Sequence, residues 1–239
     1  MELVETPFRV VTLSATERPQ TLAYLALHTD YSPDFVTGTE MEEGECGDIT
    51  VDRLLKGNRG HYGPLEHANL TLAIRCDHST LMQLARHRLL SFDIQSLRYT
   101  SDQFCRVGRG HVDVEEVFYV RPKGIYESRD KKGYSWTDRD VALTNERIID
   151  ACKNYAADID RGIAPEHARM MLPTCYLQNA IVTGNLRAWL HVCEIRSKLN
   201  AQLEIRTVTE LIALEVQKLA PEVMQWWRTH RERRAVLAP

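Results

Sequence analysis

Fourteen consecutive residues, Arg86 to Tyr99 (RHRLLSFDIQSLRY), set the tightest constraint on how this chain can fold. They interleave three Arg, two Ser, one Gln and one Tyr with Leu89, Leu90, Phe92, Ile94 and Leu97. The apolar members call for burial, and a buried guanidinium needs a partner. Asp93 is the one acid inside the segment, so the charge balance points to a bound anion. Arg offers a planar fork of donors that matches phosphate oxygens. Arg86 and Arg88 stand two apart and cannot share a helical face, which places them at a helix end, splayed towards two anionic groups. Ser96 and Arg98 have the i, i+2 spacing of one side of an extended strand. The stretch reads as a phosphate-binding segment on the border of a core, against the plainer alternative of a solvated basic helix end.

The anion must be caught locally. Net charge is −3 over 239 residues, so no global field favours nucleic acid or an anionic membrane. A hydrophobic share of 44% and a charged share of 26% suit one sizeable core. The apolar runs are too short for a membrane span. The cysteines, Cys46, Cys76, Cys105, Cys152, Cys175 and Cys193, are scattered without a CxxC pair, and the chain opens without a signal-peptide pattern. Reduced thiols and a cytoplasmic location are expected.

No repeat or linker divides the chain, so a single domain over residues 1–239 is expected, with irregular segments at 29–50 and 122–137, the second a hairpin or excursion. NLTLAIRC (69–76) alternates as a half-buried strand, and Asp77 and Ser79 offer N-caps for a short helix through STLMQLARHR. DVEEVFYV (113–120) is rich in β-formers and predicts a second strand. The C-terminal third predicts helices: Ala164–Leu172 ended by Pro173, one capped by Thr183 running to about Lys198, and Ala201–Leu219 stopping at Pro221. Strands and helices first and helices last give an α+β protein, a mixed or antiparallel sheet flanked by helices.

Other chemistries weigh less. Ser96 as a nucleophile has no His–acid partner nearby in sequence. A cysteine nucleophile would need an activated thiolate, and Cys105, next to Arg106, is the candidate for one. His61, His67, Cys76 and His78 lack a zinc spacing, so no metal is expected. Trp226 and Trp227 ahead of RTHRERR suit a helix end with basic residues better than a nucleic-acid contact. VGRGH (107–111) reads as a turn without the Walker pattern.

Arg86-His87-Arg88, Ser91, Ser96, Arg98 and Tyr99 match the pattern RHRxxSxxxxSxRY, and in this the chain resembles the flavin-dependent thymidylate synthases. His61-Tyr-Gly-Pro64-Leu-Glu66-His67 is similar to the family's H-x-[ST]-P-x-E-H element. DVEEVFYVRP resembles a strand of one branch, and Asn185-Leu-Arg187, Arg196 and AQLEIR (201–206) resemble its C-terminal helices. The likeness spans residues 55–220. It implies reductive methylation of C5 of dUMP, with methylenetetrahydrofolate as one-carbon donor, FAD as cofactor and NADPH as reductant. It also implies a homotetramer with active sites between subunits.

Residue by residue, the resemblance assigns Arg86, His87, Arg88, Gly63, Ile94, Asn185, Leu186, Arg187 and His191 to FAD. It assigns Gln83, Leu84, Ala85, Arg86, Gln95, Ser96, Leu97, Arg98 and Arg169 to the nucleotide, Arg98 and Arg169 clamping the 5′-phosphate. Arg196 matches the residue set against the pyrimidine ring, where a fixed cation favours ionisation of N3 and pushes electron density to C5. Asn185 and Arg196, eleven apart, fall on nearly one helical face. His61 matches a histidine linked to folate or nicotinamide access.

The chain departs from the family at three places. Asp93-Ile94 stands where most members have Asn-Glu, Gly63 replaces a hydroxyl residue, and His191 replaces an Asn common in many members. These changes leave room for another substrate. Methylation of UMP, as in relatives from nucleoside-antibiotic pathways, is the close alternative. Transfer of a different one-carbon unit such as hydroxymethyl, and a catalytically inactive nucleotide-binding homologue, are further readings; retention of Arg196 argues against the last.

Overall fold

The computed structural model describes residues 6–57, 60–128 and 130–234. In chain order its elements are strand β1 (Arg9–Ala15), helices α1 (Pro19–Thr29) and α2 (Glu43–Thr50), a π-helical turn (Val51–Leu55) and a 3-10 turn (Gly63–Glu66). Then come β2 (Asn69–Asp77), α3 (His78–Leu84), β3 (Ser91–Ile94), α4 (Leu97–Thr100), α5 (Asp102–Gly108) and α6 (Val114–Val117). A hairpin, β4 (Gly124–Glu127) and β5 (Gly133–Trp136), precedes the long α7 (Asp138–Asp160) and the short α8 (Pro165–Ala168). The chain closes with β6 (Leu177–Asn185), α9 (Leu186–Arg196), α10 (Leu203–Leu219) and α11 (Pro221–His230). This is the expected mixture of helices and antiparallel sheet.

Two compact units are interleaved in sequence. One comprises residues up to 75, 82–93 and from 180 onwards; the other comprises 76–81 and 94–179. In the first, strand order is β1-β2-β6-β3, and β1 pairs antiparallel with β2 from Arg9↔Arg75 to Ala15↔Leu70. Alternation in β2 puts Leu70, Leu72 and Ile74 into the core, as its sequence predicts. Helix α10 packs on β1, α9 and α11, and its stripe Val208, Ile212 and Val216 is fully buried. Trp189 on α9 is buried, and its indole N–H donates to the Leu70 and Gly184 carbonyls. Trp227 on α11 is likewise a core anchor, donating to Glu194 at 3.1 Å.

The second unit has its own core around Phe104, which meets Tyr155 and Tyr176 edge-on at centroid distances of 5.7 and 5.6 Å. Helix α5 lies against α7 at Gly108, where a Cβ would come within 2.5 Å of the Cys152 carbonyl oxygen.

Several local expectations are corrected. The acidic stretch in 29–50 is partly helical, because Glu42 and Glu45 close a capping box at the start of α2. DVEEVFYV is not a strand: Asp113 and Glu116 form another capping box, α6 follows, and only Phe118 makes a β-bridge, to Tyr176. Thr183 lies inside β6, and the cap of α9 is Asn185, whose Oδ1 accepts from the Ala188 N–H at 2.9 Å. Pro221 does not merely stop α10; it begins α11, where a missing N–H is harmless. Ser96 and Arg98 do not share a strand, since Leu97 opens α4. The hairpin at 122–137 and the Asp77 cap of α3, which receives the Thr80 N–H at 3.1 Å, agree with the sequence.

Candidate active site

The segment 86–99 is divided by the fold. Leu84 ends α3 fully buried, so Arg86 and Arg88 follow in the turn, both exposed, with no ion-pair partner among the described residues. His87 between them points inward and is buried. Leu90 and Leu97 are buried and anchor the segment at both ends, whereas Leu89 is exposed.

Around His87 the first unit assembles a cationic group with few acids. Arg196, at the C-terminal end of α9, donates through Nε to His87 Nε2 at 3.0 Å and through Nη2 to the Gln83 carbonyl at 2.8 Å. Both acceptors are neutral groups, and no carboxylate pairs with Arg196 among the described residues. Burial, then Arg196, His191 and Arg86, lowers His87 to about 4, so its imidazole is uncharged near neutrality. His191, five residues before Arg196 on α9, meets His87 edge-on at 5.4 Å. Burial, then Arg187 and Arg196, lowers it as well. One neutral imidazole and one backbone carbonyl thus hold the guanidinium, with His191 packed against the imidazole.

The start of α9 brings Asn185 and Arg187 to this unit too. Asn185 spends its Oδ1 on the helix cap, and Arg187 pairs with Glu66 of the 3-10 turn. Leu186 is buried and its N–H is bound to the Ala68 carbonyl, so its side chain belongs to the core. Ala85 is half-buried. Gly63 is exposed, and a Cβ there would meet nothing within 4 Å, so packing does not require glycine. His61 is exposed and bound through Nε2 to Asp30 at 2.7 Å. Gln83 donates to Gln202 at 2.8 Å.

The second unit carries the remaining predicted residues. Ile94, at the end of β3, is half-buried beside exposed Asp93. Gln95 is locked to β6: its N–H donates to the Asn179 carbonyl, and its Oε1 and carbonyl accept from Asn179 N–H and Gln178 Nε2. Ser96 caps the turn of α4, its carbonyl accepting from the N–H groups of Tyr99 and Thr100. Arg98 reaches Glu166 at 3.6 Å, and Arg169, three residues further on, also acts on Glu166 electrostatically. A backbone hydrogen bond, then Arg98, His167 and Arg169, holds the Glu166 carboxyl below its ordinary range. Glu166 was not picked out in the sequence; only its place three residues before Arg169 hinted at it.

A cysteine nucleophile finds little support. Burial raises all six thiols, Cys105 included, so none is an activated thiolate. Among the described residues no group of three His, Cys, Asp or Glu side chains is placed to hold a metal ion. No helix among them is long and apolar enough to cross a membrane.

Arg86, Arg88 and Arg196 have no carboxylate in ion-pair range among the described residues, whereas Arg187 pairs with Glu66 and Arg98 with Glu166. The three without a carboxylate define a protein built to hold anionic ligands. The chain belongs to the family described as "Thymidylate synthase complementing protein", whose pattern matches residues 12–222, the family of the flavin-dependent thymidylate synthase methyltransferases. It is 31% identical to the flavin-dependent thymidylate synthase of Halobacterium salinarum over 97% of this chain and 100% of that one. The Haloarcula marismortui enzyme of the same name is 30% identical, over 95% of this chain and 98% of its own. Among solved structures, a UMP/dUMP methylase, PolB from Streptomyces cacaoi bound with 5-Br dUMP, shares the fold with a TM-score of 0.77. It covers 95% of this chain and 97% of its own at 22% identity.

Proposed function

We propose that this protein methylates C5 of a uridine 5′-monophosphate, dUMP first, using methylenetetrahydrofolate as one-carbon donor and NADPH as reductant. A bound FAD would supply the hydride chemistry. The donor set fits such a group: Arg86 and Arg88 lie exposed without ion-pair partners among the described residues, and a pyrophosphate is the anion that suits paired guanidiniums. Arg86, His87, Arg88, Asn185, Arg187 and His191 would hold it, with Gly63, Ile94 and Leu186 contributing backbone or apolar surface. Gln83 to Arg86 and Gln95 to Arg98, with Arg169, would hold the nucleotide. His61 would stand where folate or nicotinamide enters. A homotetramer with active sites between subunits goes with this reading.

The observation that carries it is Arg196. Its guanidinium is oriented by two neutral acceptors; burial, then Arg86, lowers it from a very high ordinary value, and an arginine so placed stays charged near neutrality. A cation placed so stabilises negative charge developing on a pyrimidine without itself releasing a proton. UMP is the second reading, favoured because the PolB structures carry 5-Br dUMP in one case and 5-Br UMP in another. Incubating protein, FAD, NADPH and methylenetetrahydrofolate with dUMP or UMP separately, and identifying the product by mass, tests both. A mass gain of one methyl on either nucleotide is expected. No methylated product from a flavin-loaded protein would leave the inactive-homologue reading.

A further inference from the structure

Arg196 is the last residue of α9, and helix ends fray. Leu199 and Asn200 just beyond it are exposed. Its bonds to His87 and to the Gln83 carbonyl hold the guanidinium, not the turn that carries it. Two residues earlier, and so on another side of the helix, Glu194 is turned inward and only 2% exposed.

A buried carboxylate demands partners, and α11 with its C-cap supplies them. The Trp227 indole N–H donates to Glu194 Oε2 at 3.1 Å, and Arg231 Nη1 lies 3.5 Å from Oε1. Arg231 is buried too, and its guanidinium stands 5.4 Å from the centre of the Trp226 ring. The helix that brings them is itself fixed. Arg228 donates to Gln217 at 3.1 Å and to Glu210 at 2.9 Å, both on α10.

Stability alone does not account for such a pair. Apolar side chains of similar volume are often as stable as a buried ion pair, or more so. The best-attested use of buried ionic groups is to fix register. Here the register is that of the last turn of α9, two residues from the cation on which the proposed chemistry depends. We propose that Glu194 and Arg231 are positioning residues: with Trp227 they tie the last turn of α9 to α11, so that Arg196 meets His87 and the Gln83 carbonyl together. As a statement about rate this rests on the methyltransferase reading; as a statement about the contact of Arg196 with His87 it stands apart from it.

The test removes the pair whole, because one charge left buried alone is strongly destabilising. Glu194→Leu combined with Arg231→Leu should keep the urea midpoint at or near the parent's. FAD retention and dUMP affinity should stay within about twofold, while kcat falls by about tenfold, the scale of a misplaced group. Glu194→Gln, whose amide oxygen still accepts from Trp227, should lose less, and it carries the same readouts should the paired variant fail to fold. In an Arg196→Lys background the paired change should cost less than about a further twofold, because the residues act as one unit. A second readout needs no turnover. Burial and then Arg196 hold His87 at about 4, so in histidine-labelled protein its imidazole, followed by NMR, should titrate higher once the tie is cut.

Unchanged kcat in a folded variant of an active parent overturns the proposal, as do losses that simply multiply in the Arg196→Lys background. A fall in kcat matched by equal falls in FAD retention, dUMP affinity and urea midpoint makes the pair merely structural and overturns it too. A parent that methylates neither nucleotide sinks the methyltransferase reading instead. The His87 titration then decides alone: a rise upholds the tie to Arg196, and no change ends it.

Discussion

At the residue scale, Arg196 is distinguished by the neutrality of what holds it. Its Nε and Nη2 bonds to His87 and to the Gln83 carbonyl need a guanidinium fork, which an ammonium lacks. Arg196→Lys should therefore lower turnover far more than nucleotide affinity, read as kcat against the Kd for dUMP; equal losses would refute ring activation. Glu166 makes the opposite case. It sits with Arg98 and Arg169, the pair that the resemblance gives to the 5′-phosphate, and so competes with that anion. Glu166→Gln should tighten dUMP binding by roughly three- to fivefold, since an exposed ion pair contributes little. Weaker binding by calorimetry would show that the carboxylate positions the arginines instead. The arginines were legible because their sequence pattern is dense. Their partners were not: His87 and Arg196 are 109 residues apart, and no local spacing announces the contact.

At the element scale, the sequence speaks clearly where one face is buried and one is wet. β2 and α10 show this in their alternation and stripe. It misleads where a side chain competes for the backbone. In DVEE the β-forming residues lose to Asp113 and Glu116, whose reciprocal cap satisfies two N–H groups at once. At Pro221 the breaker of one helix is the first residue of the next. Close approach is also hidden from periodicity. Gly108 ends α5 with backbone of α7 at 2.5 Å from where a Cβ would stand, and backbone cannot swing away as a side-chain tip can. Gly108→Ala should destabilise by about 1–3 kcal/mol, the usual range for overpacking, seen as a lower urea midpoint. Gly63→Ser is the matched control, because the space around Gly63 is open. It should move stability by no more than about 0.5 kcal/mol. A neutral Gly108→Ala would mean that α5 and α7 can separate freely.

At the scale of the whole molecule, the grip on Arg196 makes folding itself depend on pH. Unfolded, His87 titrates near 6.5; folded, burial and the neighbouring cations bring it to about 4. Between those values the unfolded chain binds more protons, so stability must fall as pH drops from about 6.5 towards 4. His191, also lowered, pushes the same way. Glu194 opposes it, because burial raises that carboxyl and favours the folded state as pH falls through its range. The carboxylates Glu215 and Asp140 are lowered, and their contribution is lost only below their ordinary values of 4.5 and 3.8. A protonated His87 can no longer accept at Nε2 from Arg196, so acid loosens the guanidinium by the same event that weakens the fold. Urea midpoints should decline between pH 7 and pH 4.5, and more gently in His87→Gln, whose amide does not titrate. Equal slopes in the two proteins would place the acid sensitivity elsewhere and detach it from the Arg196 site.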